Sequence, residues 1–219
     1  MPVTMPMIKR ISPQELQFQA RQARADVETQ HVFWQIDEIS LSWPGVLETI
    51  PGLNSLSIHF DSSRALESAQ KQLPSLWKAC LKRARARAVS TITLEVCYGG
   101  LGAPYLRQVA KQAGLSVDQW IDLHVGSTYT VVNIGIHPGL ACLGELVPDL
   151  RRSAWVASRQ PVSGGGVAVN ECRTAIAAST LPVGWNLVGI IRNVRFKGET
   201  EGFPSLQPGD RVCFERFSG

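Results

Sequence analysis

At 219 residues the chain is longer than a typical domain of about 100–150 residues and shorter than two, so one large domain or two small ones fit. Hydrophobic residues make up 44% and charged residues 18%, which excludes a disordered chain. The net charge of +4 is thinly spread, with 11 basic and 8 acidic side chains in residues 1–90 and 11 and 10 in residues 91–219. Such a bias names neither nucleic acid nor an anionic membrane as a partner.

The longest apolar stretch, Val131 to Leu143, is broken by Asn133, His137 and Pro138 and falls short of the ~20 residues of a membrane span. The opening MPVTMPMIKR lacks the basic-then-apolar order of a signal peptide. Cys80, Cys97, Cys142, Cys172 and Cys213 are odd in number and far apart, which reads as reduced thiols. The expected location is therefore the cytoplasm.

In chain order, Ser12-Pro13-Gln14-Glu15 matches a helix capping box, yet Leu16, Phe18 and Ala20 alternate as in a strand. Both readings stand on the sequence. Residues 26–42 predict a helix with Val27, Phe33, Trp34, Ile36 and Ile39 on one face. After a Pro51-Gly52 turn, Leu56, Ile58 and Phe60 predict a strand ending at Asp61. Leu66 through Ala88 recurs at helical spacing, kinked or restarted by Pro74. Its Lys82, Arg83, Arg85 and Arg87 read as a solvated face with cations near the helix end.

Ile92, Leu94, Val96 and Tyr98 predict a strand stopped by Gly99-Gly100. Pro104 opens and Gly114 closes a helix with Leu106, Val109, Ala110 and Ala113 inward. Ser116-Val117-Asp118-Gln119 is a capping box leading a second helix through Trp120 and His124 to Gly126. Beyond it, Tyr129–Ile136, Gly166–Val169, Leu187–Ile191 and Val212–Phe217 are short apolar runs between glycine and proline turns, the pattern of a small barrel or sandwich. Only Gly45 and Gly52 of the 19 glycines precede residue 90. Glycine serves the turns and bulges of closely spaced strands, so a mixed α/β part, 1–90, precedes a β-rich part, 91–219.

Familiar catalytic signatures are absent. His31, His59, His124 and His137 lack metal spacing, no G-x-S-x-G elbow occurs, and Ser163-Gly164-Gly165-Gly166 is not followed by Lys-Ser/Thr. No metal site is expected.

A more specific pattern runs through the second half. His124 ends a helix, followed by Gly135-Ile136-His137-Pro138-Gly139-Leu140, Arg151-Arg152, Ser158-Arg159 and Val162-Ser163-Gly164-Gly165-Gly166-Val167. Pro182-Val183-Gly184-Trp185-Asn186-Leu187-Val188-Gly189 and Pro208-Gly209-Asp210-Arg211-Val212-Cys213-Phe214 complete it. In this order, and with weaker matches at Gly45–Pro51, Phe60-Asp61 and Cys97-Tyr98-Gly99-Gly100, the chain resembles one family. It holds the B subunit of prokaryotic 5-oxoprolinase, the Kip-type inhibitor of a sporulation histidine kinase, and the allophanate hydrolase subunit 1 domain.

The resemblance implies an α+β chain, with an N-terminal α/β domain (1–90) followed by a C-terminal cyclophilin-like β-barrel (91–219). It implies partners like the C and A subunits of 5-oxoprolinase and a small carboxylate or lactam substrate. The implied reaction is ATP-dependent opening of 5-oxoproline, with ATP used through the complex and no cofactor tightly bound. Carried over by position, His124, His137 and Arg159 are the expected catalytic residues, and Pro138, Gly139, Gly165, Gly166 and Trp185 the expected substrate contacts. Arg159 supplies a planar fork for a carboxylate or phosphate, and glycine-loop N–H groups suit an oxyanion. His124 or His137 would move a proton near neutral pH.

Against the family pattern, Ile136 and Leu140 replace phenylalanines, Cys142 a tyrosine, Ser158 and Ser163 prolines, Gly166 a serine, Ile190 an arginine, and Tyr105 an aspartate. The chain is thus a divergent member. The alternative function is non-catalytic binding to a sensor histidine kinase, or a role like that of the allophanate hydrolase domain.

Overall fold

The computed structural model describes residues 4–21, 27–82, 90–135, 139–151, 160–182, 184–192 and 206–218. Two units result, Met1–Ala88 and Val89–Gly219.

The first unit contains β1 (Met7–Ser12), β2 (Glu15–Gln19), α1 (Val27–Ser40), β3 (Val46–Gly52), β4 (Ser55–Phe60) and α2 (Ser63–Lys82). Its antiparallel sheet has the order β1-β2-β4-β3. At Ser12–Glu15 the strand reading prevails over the helix cap. Leu16 and Phe18 are fully buried, each burial worth ~1.5–3 kcal/mol against ~1 kcal/mol for a cap. Ser12 Oγ instead accepts the Gln14 N–H at 3.2 Å and closes a turn.

Helices α1 and α2 supply Phe33 and Trp77 to a core shared with Phe18, their ring centroids 5.3–5.5 Å apart. Strand β3 replaces the expected Pro51-Gly52 turn. It lies at the sheet edge, where Pro51 removes no ladder donor that a neighbour needs. A bulge between Val46 and Glu48, and the Glu48 charge, guard this edge even though Leu47 is 69% exposed. Helix α2 begins three residues before Leu66 and contains Pro74. Arg83, Arg85 and Arg87, expected on its basic face, lie outside the described residues.

The second unit contains β5 (Thr91–Tyr98), α3 (Leu106–Ala113), α4 (Val117–Val125), β6 (Thr128–Ile134), β7 (Leu140–Glu145), β8 (Gly166–Val169), β9 (Arg173–Ala177), β10 (Asn186–Ile191) and β11 (Arg211–Arg216). Seven strands close into a barrel ordered β10-β5-β11-β6-β7-β9-β8, with β8 returning to β10. Among the described strands of the barrel, only β5 and β11 run parallel. The fold is α+β with a barrel.

Local signals place the two helices well. Gly114, at φ 69°, caps α3, and Ser116 and Gln119 exchange hydrogen bonds of 3.2 and 2.9 Å at the start of α4. Leu106, Val109, Trp120 and Ile121 join Leu94, Val131, Ile176 and Val212 in one core. Strands β7 and β9, absent from the sequence reading, are buried on both faces over most of their length and so show no alternation. Among the described residues, no helix is long and apolar enough to cross a membrane.

Candidate functional site

The β8–β9 hairpin organises the region where the expected site residues fall, pairing Val167 with Ile176 and Val169 with Thr174. At its Gly166 end, the Gly165 N–H donates to the Ala177 carbonyl, and the Ala178 N–H to the Gly139 carbonyl, both at 2.8 Å. Gly139 and Gly165 therefore flank the exit of β9. The Ile191 N–H donates to the Gly165 carbonyl at 2.9 Å and ties the same loop to β10. Gly139, Gly165 and Gly166, far apart in sequence, thus share one rim of the barrel.

Gly139 adopts φ 79°, and a Cβ there would stand 2.9 Å from the Ala178 Cβ. Gly139→Ala is expected to lose about 1–3 kcal/mol of stability, read as a lower urea midpoint. A midpoint equal to wild type would show that the rim adapts freely.

His124 stands at the other end of the hairpin. Thr174 Oγ1 donates to the Ala168 carbonyl at 3.3 Å, leaving a lone pair for the His124 Nε2–H at 3.3 Å. The bare Nδ1 then accepts the Tyr98 hydroxyl at 2.8 Å. This tautomer is assigned from the hydrogen-bond network. The imidazole stacks between Trp120 and Phe214, with centroids at 5.0 and 4.9 Å, and its residue is 0% exposed.

Burial pushes the His124 pKa down to about 3, so the ring is neutral across the physiological range. The Tyr98 phenol is pushed up by burial and by neighbouring Tyr129, so its proton stays in place. In this arrangement His124 bolts α4 to β5 and β9. It differs from the accessible proton shuttle expected from sequence, because both ring nitrogens are engaged inside the core.

From Gly166 to Val169 the strand advances three residues, about 10 Å, so His124 and the glycine rim are separate places. Half-buried Trp185 precedes Asn186, which pairs with Val169. It therefore belongs to the Val169 end, away from the glycines. His137, Pro138 and Arg159 lie outside the described residues.

Sequence reasoning passed over Tyr98 and Thr174, the partners that define the His124 tautomer. Tyr98 had a signal in the Cys97-Tyr98-Gly99-Gly100 match. Thr174, between Arg173 and Ala175, had none. On β7, burial pushes the Cys142 thiol up despite the Arg173 guanidinium, and a protonated, buried thiol is a poor nucleophile. Among the described residues, no three His, Cys, Asp or Glu side chains gather as a metal site.

The chain is 30% identical over 187 residues to the 5-oxoprolinase B subunit of Escherichia coli O157:H7, covering 85% of each chain. It is 26% identical over 186 residues to the 5-oxoprolinase B subunit of Bacillus subtilis (strain 168), covering 80% of this chain and 78% of that one. A crystal structure of TTHA0988 superposes with a TM-score of 0.68 at 26% identity, over 97% of this chain and 40% of that longer one. The family of the carboxyltransferase domain, subdomain C and D, matches residues 6–203, and the chain belongs to it.

Proposed function

We propose that this chain is the B subunit of an ATP-dependent 5-oxoprolinase, a hydrolase that works with partners resembling the C and A subunits. The observation that carries the reading is the 30% identity to a protein of that name across 85% of both chains. Opening a lactam requires activating an unreactive amide carbonyl, so the complex consumes ATP, and water ends on the new carboxyl carbon.

The glycine rim around Gly139, Gly165 and Gly166 is the part of this chain that meets substrate. The Gly165 and Gly166 N–H groups are held by the Ala177 and Ser163 carbonyls, so the rim contributes close approach of substrate to a backbone without side chains. Arg159 holds the substrate carboxylate through its fork, His137 moves a proton and Pro138 contacts the substrate. His124 acts as a positioning residue, holding Tyr98, and Trp185 shapes the opposite end of the hairpin.

The test is co-expression with proteins from the same genome that resemble the C and A subunits. Glutamate release from 5-oxoproline and ATP is expected from the assembled complex and from no single component. Arg159→Ala and Arg159→Lys should each lower kcat/KM by roughly tenfold or more, since lysine keeps the charge and loses the fork. An assembled complex without turnover, or turnover without this chain, would overturn the reading. Full activity in Arg159→Ala would remove that residue from the site.

A further inference from the structure

The first unit holds a cleft of about 550 Å³, within the range of small-ligand sites. It lies where the turn after α1 meets the end of β4 and the first turns of α2. That turn is stiff. The Trp43 N–H donates to the Ser40 carbonyl at 3.0 Å and the Val46 N–H to the Trp43 carbonyl at 3.1 Å. The Asp61 N–H then donates to the Gly45 carbonyl at 2.8 Å, binding the turn to the end of β4.

Gly45 makes this closure possible. It has φ 79°, and a Cβ there would stand 2.6 Å from the Ala65 Cβ and 2.8 Å from Asp61 Oδ1. The closed end of the cleft is consequently built from the Gly45 backbone, Ala65 and the Asp61 carboxylate. Half-buried Trp43 forms one wall, and Phe60, 1% exposed, with Ala69, 2% exposed, forms an apolar floor. The small alanines on this face of α2 leave the space open.

Two charges line the cleft, Asp61 and Arg64, and its remaining polar walls are the neutral Ser62, Ser68 and Gln72. Among the described residues neither charged side chain has a hydrogen-bond or ion-pair partner, and the two do not pair with each other. A simple anion would satisfy Arg64 and be repelled by Asp61; a simple cation would do the reverse. A group carrying both charges satisfies both ends at once.

We propose that this cleft binds a zwitterionic α-amino acid with an apolar side chain. Asp61 takes the ammonium, Arg64 the carboxylate, and the side chain lies against Trp43. The proposal is independent of the reading of the second unit. It concerns a site that the 5-oxoproline assay does not read.

The experiment is calorimetric titration of the full-length chain with leucine, N-acetyl-leucine and leucinamide, in wild type, Asp61→Asn and Arg64→Gln. Wild type should bind leucine, and each blocked analogue should bind at least tenfold more weakly. Asp61→Asn should weaken leucine and tighten N-acetyl-leucine, which loses a repelling charge, and Arg64→Gln should weaken leucine and tighten leucinamide for the same reason. Both positions are exposed, so the fold survives these changes, and circular dichroism checks it. No leucine binding below about 10 mM, equal binding of N-acetyl-leucine and leucine, or wild-type affinity in both variants would each overturn the proposal.

Discussion

As pH falls from 6.5 to about 5, unfolding free energy is expected to fall through His124, with a slope about half-maximal at the start and approaching about 1.4 kcal/mol per pH unit near pH 5. The folded imidazole stays neutral because its pKa is about 3, whereas the unfolded one takes up a proton near 6.5. The unfolded state therefore binds more protons in this window, and acid favours it. The contribution is fully present above pH 6.5 and is lost progressively as pH falls towards the folded value. Below about pH 5 carboxylates join the titration, so the slope is read above it, where the difference between wild type and His124→Phe reports His124.

Urea unfolding at a series of pH values measures the slope, and His124→Phe should flatten it. Phenylalanine keeps an aromatic ring between Trp120 and Phe214 but leaves the Tyr98 hydroxyl and Thr174 Oγ1 without their partner. The variant should lose about 2–4 kcal/mol at pH 7. A pH slope unchanged in His124→Phe would assign the acid sensitivity to other groups. His124→Gln is expected to destabilise as well, because an amide cannot stack with both rings.

Trp77→Ala should cost about 3–5 kcal/mol, a large part of the ~5–15 kcal/mol that holds a typical domain together. Trp77 is 1% exposed and meets Phe18 at 5.5 Å and Phe33 at 5.3 Å, so truncation opens a cavity between the sheet and both helices. Trp77→Phe retains most of the volume and should cost about half as much or less. Hydrogen exchange of the β2 and β4 amides reports the loss directly, because these strands carry the other side of the same cluster. Protection in Trp77→Ala within about 1 kcal/mol of wild type would show that the core collapses to fill the gap.

Elements with their own local chemistry were legible in the amino-acid sequence. The boundaries of α3 and α4 follow from Gly114 and the Ser116–Gln119 box, whose hydrogen bonds close within a few residues. Strands β4 and β5 follow from alternation, because one face of each meets solvent more than the other. The family was legible as well, since the order of short motifs survives even where single positions have changed.

Tertiary structure decided whatever depended on partners distant in sequence. Ser12–Glu15 satisfies a helix cap locally, and burial of Leu16 and Phe18 against β4 and the helices turned it into a hairpin. Strands β7 and β9 lost their periodic signature because barrel closure buries both faces. The same closure brought Gly139 to Gly165 and drew His124 inward between Tyr98 and Thr174. A histidine's pKa and access are properties of its surroundings, and those come from strands 26 residues before it and 50 residues after it.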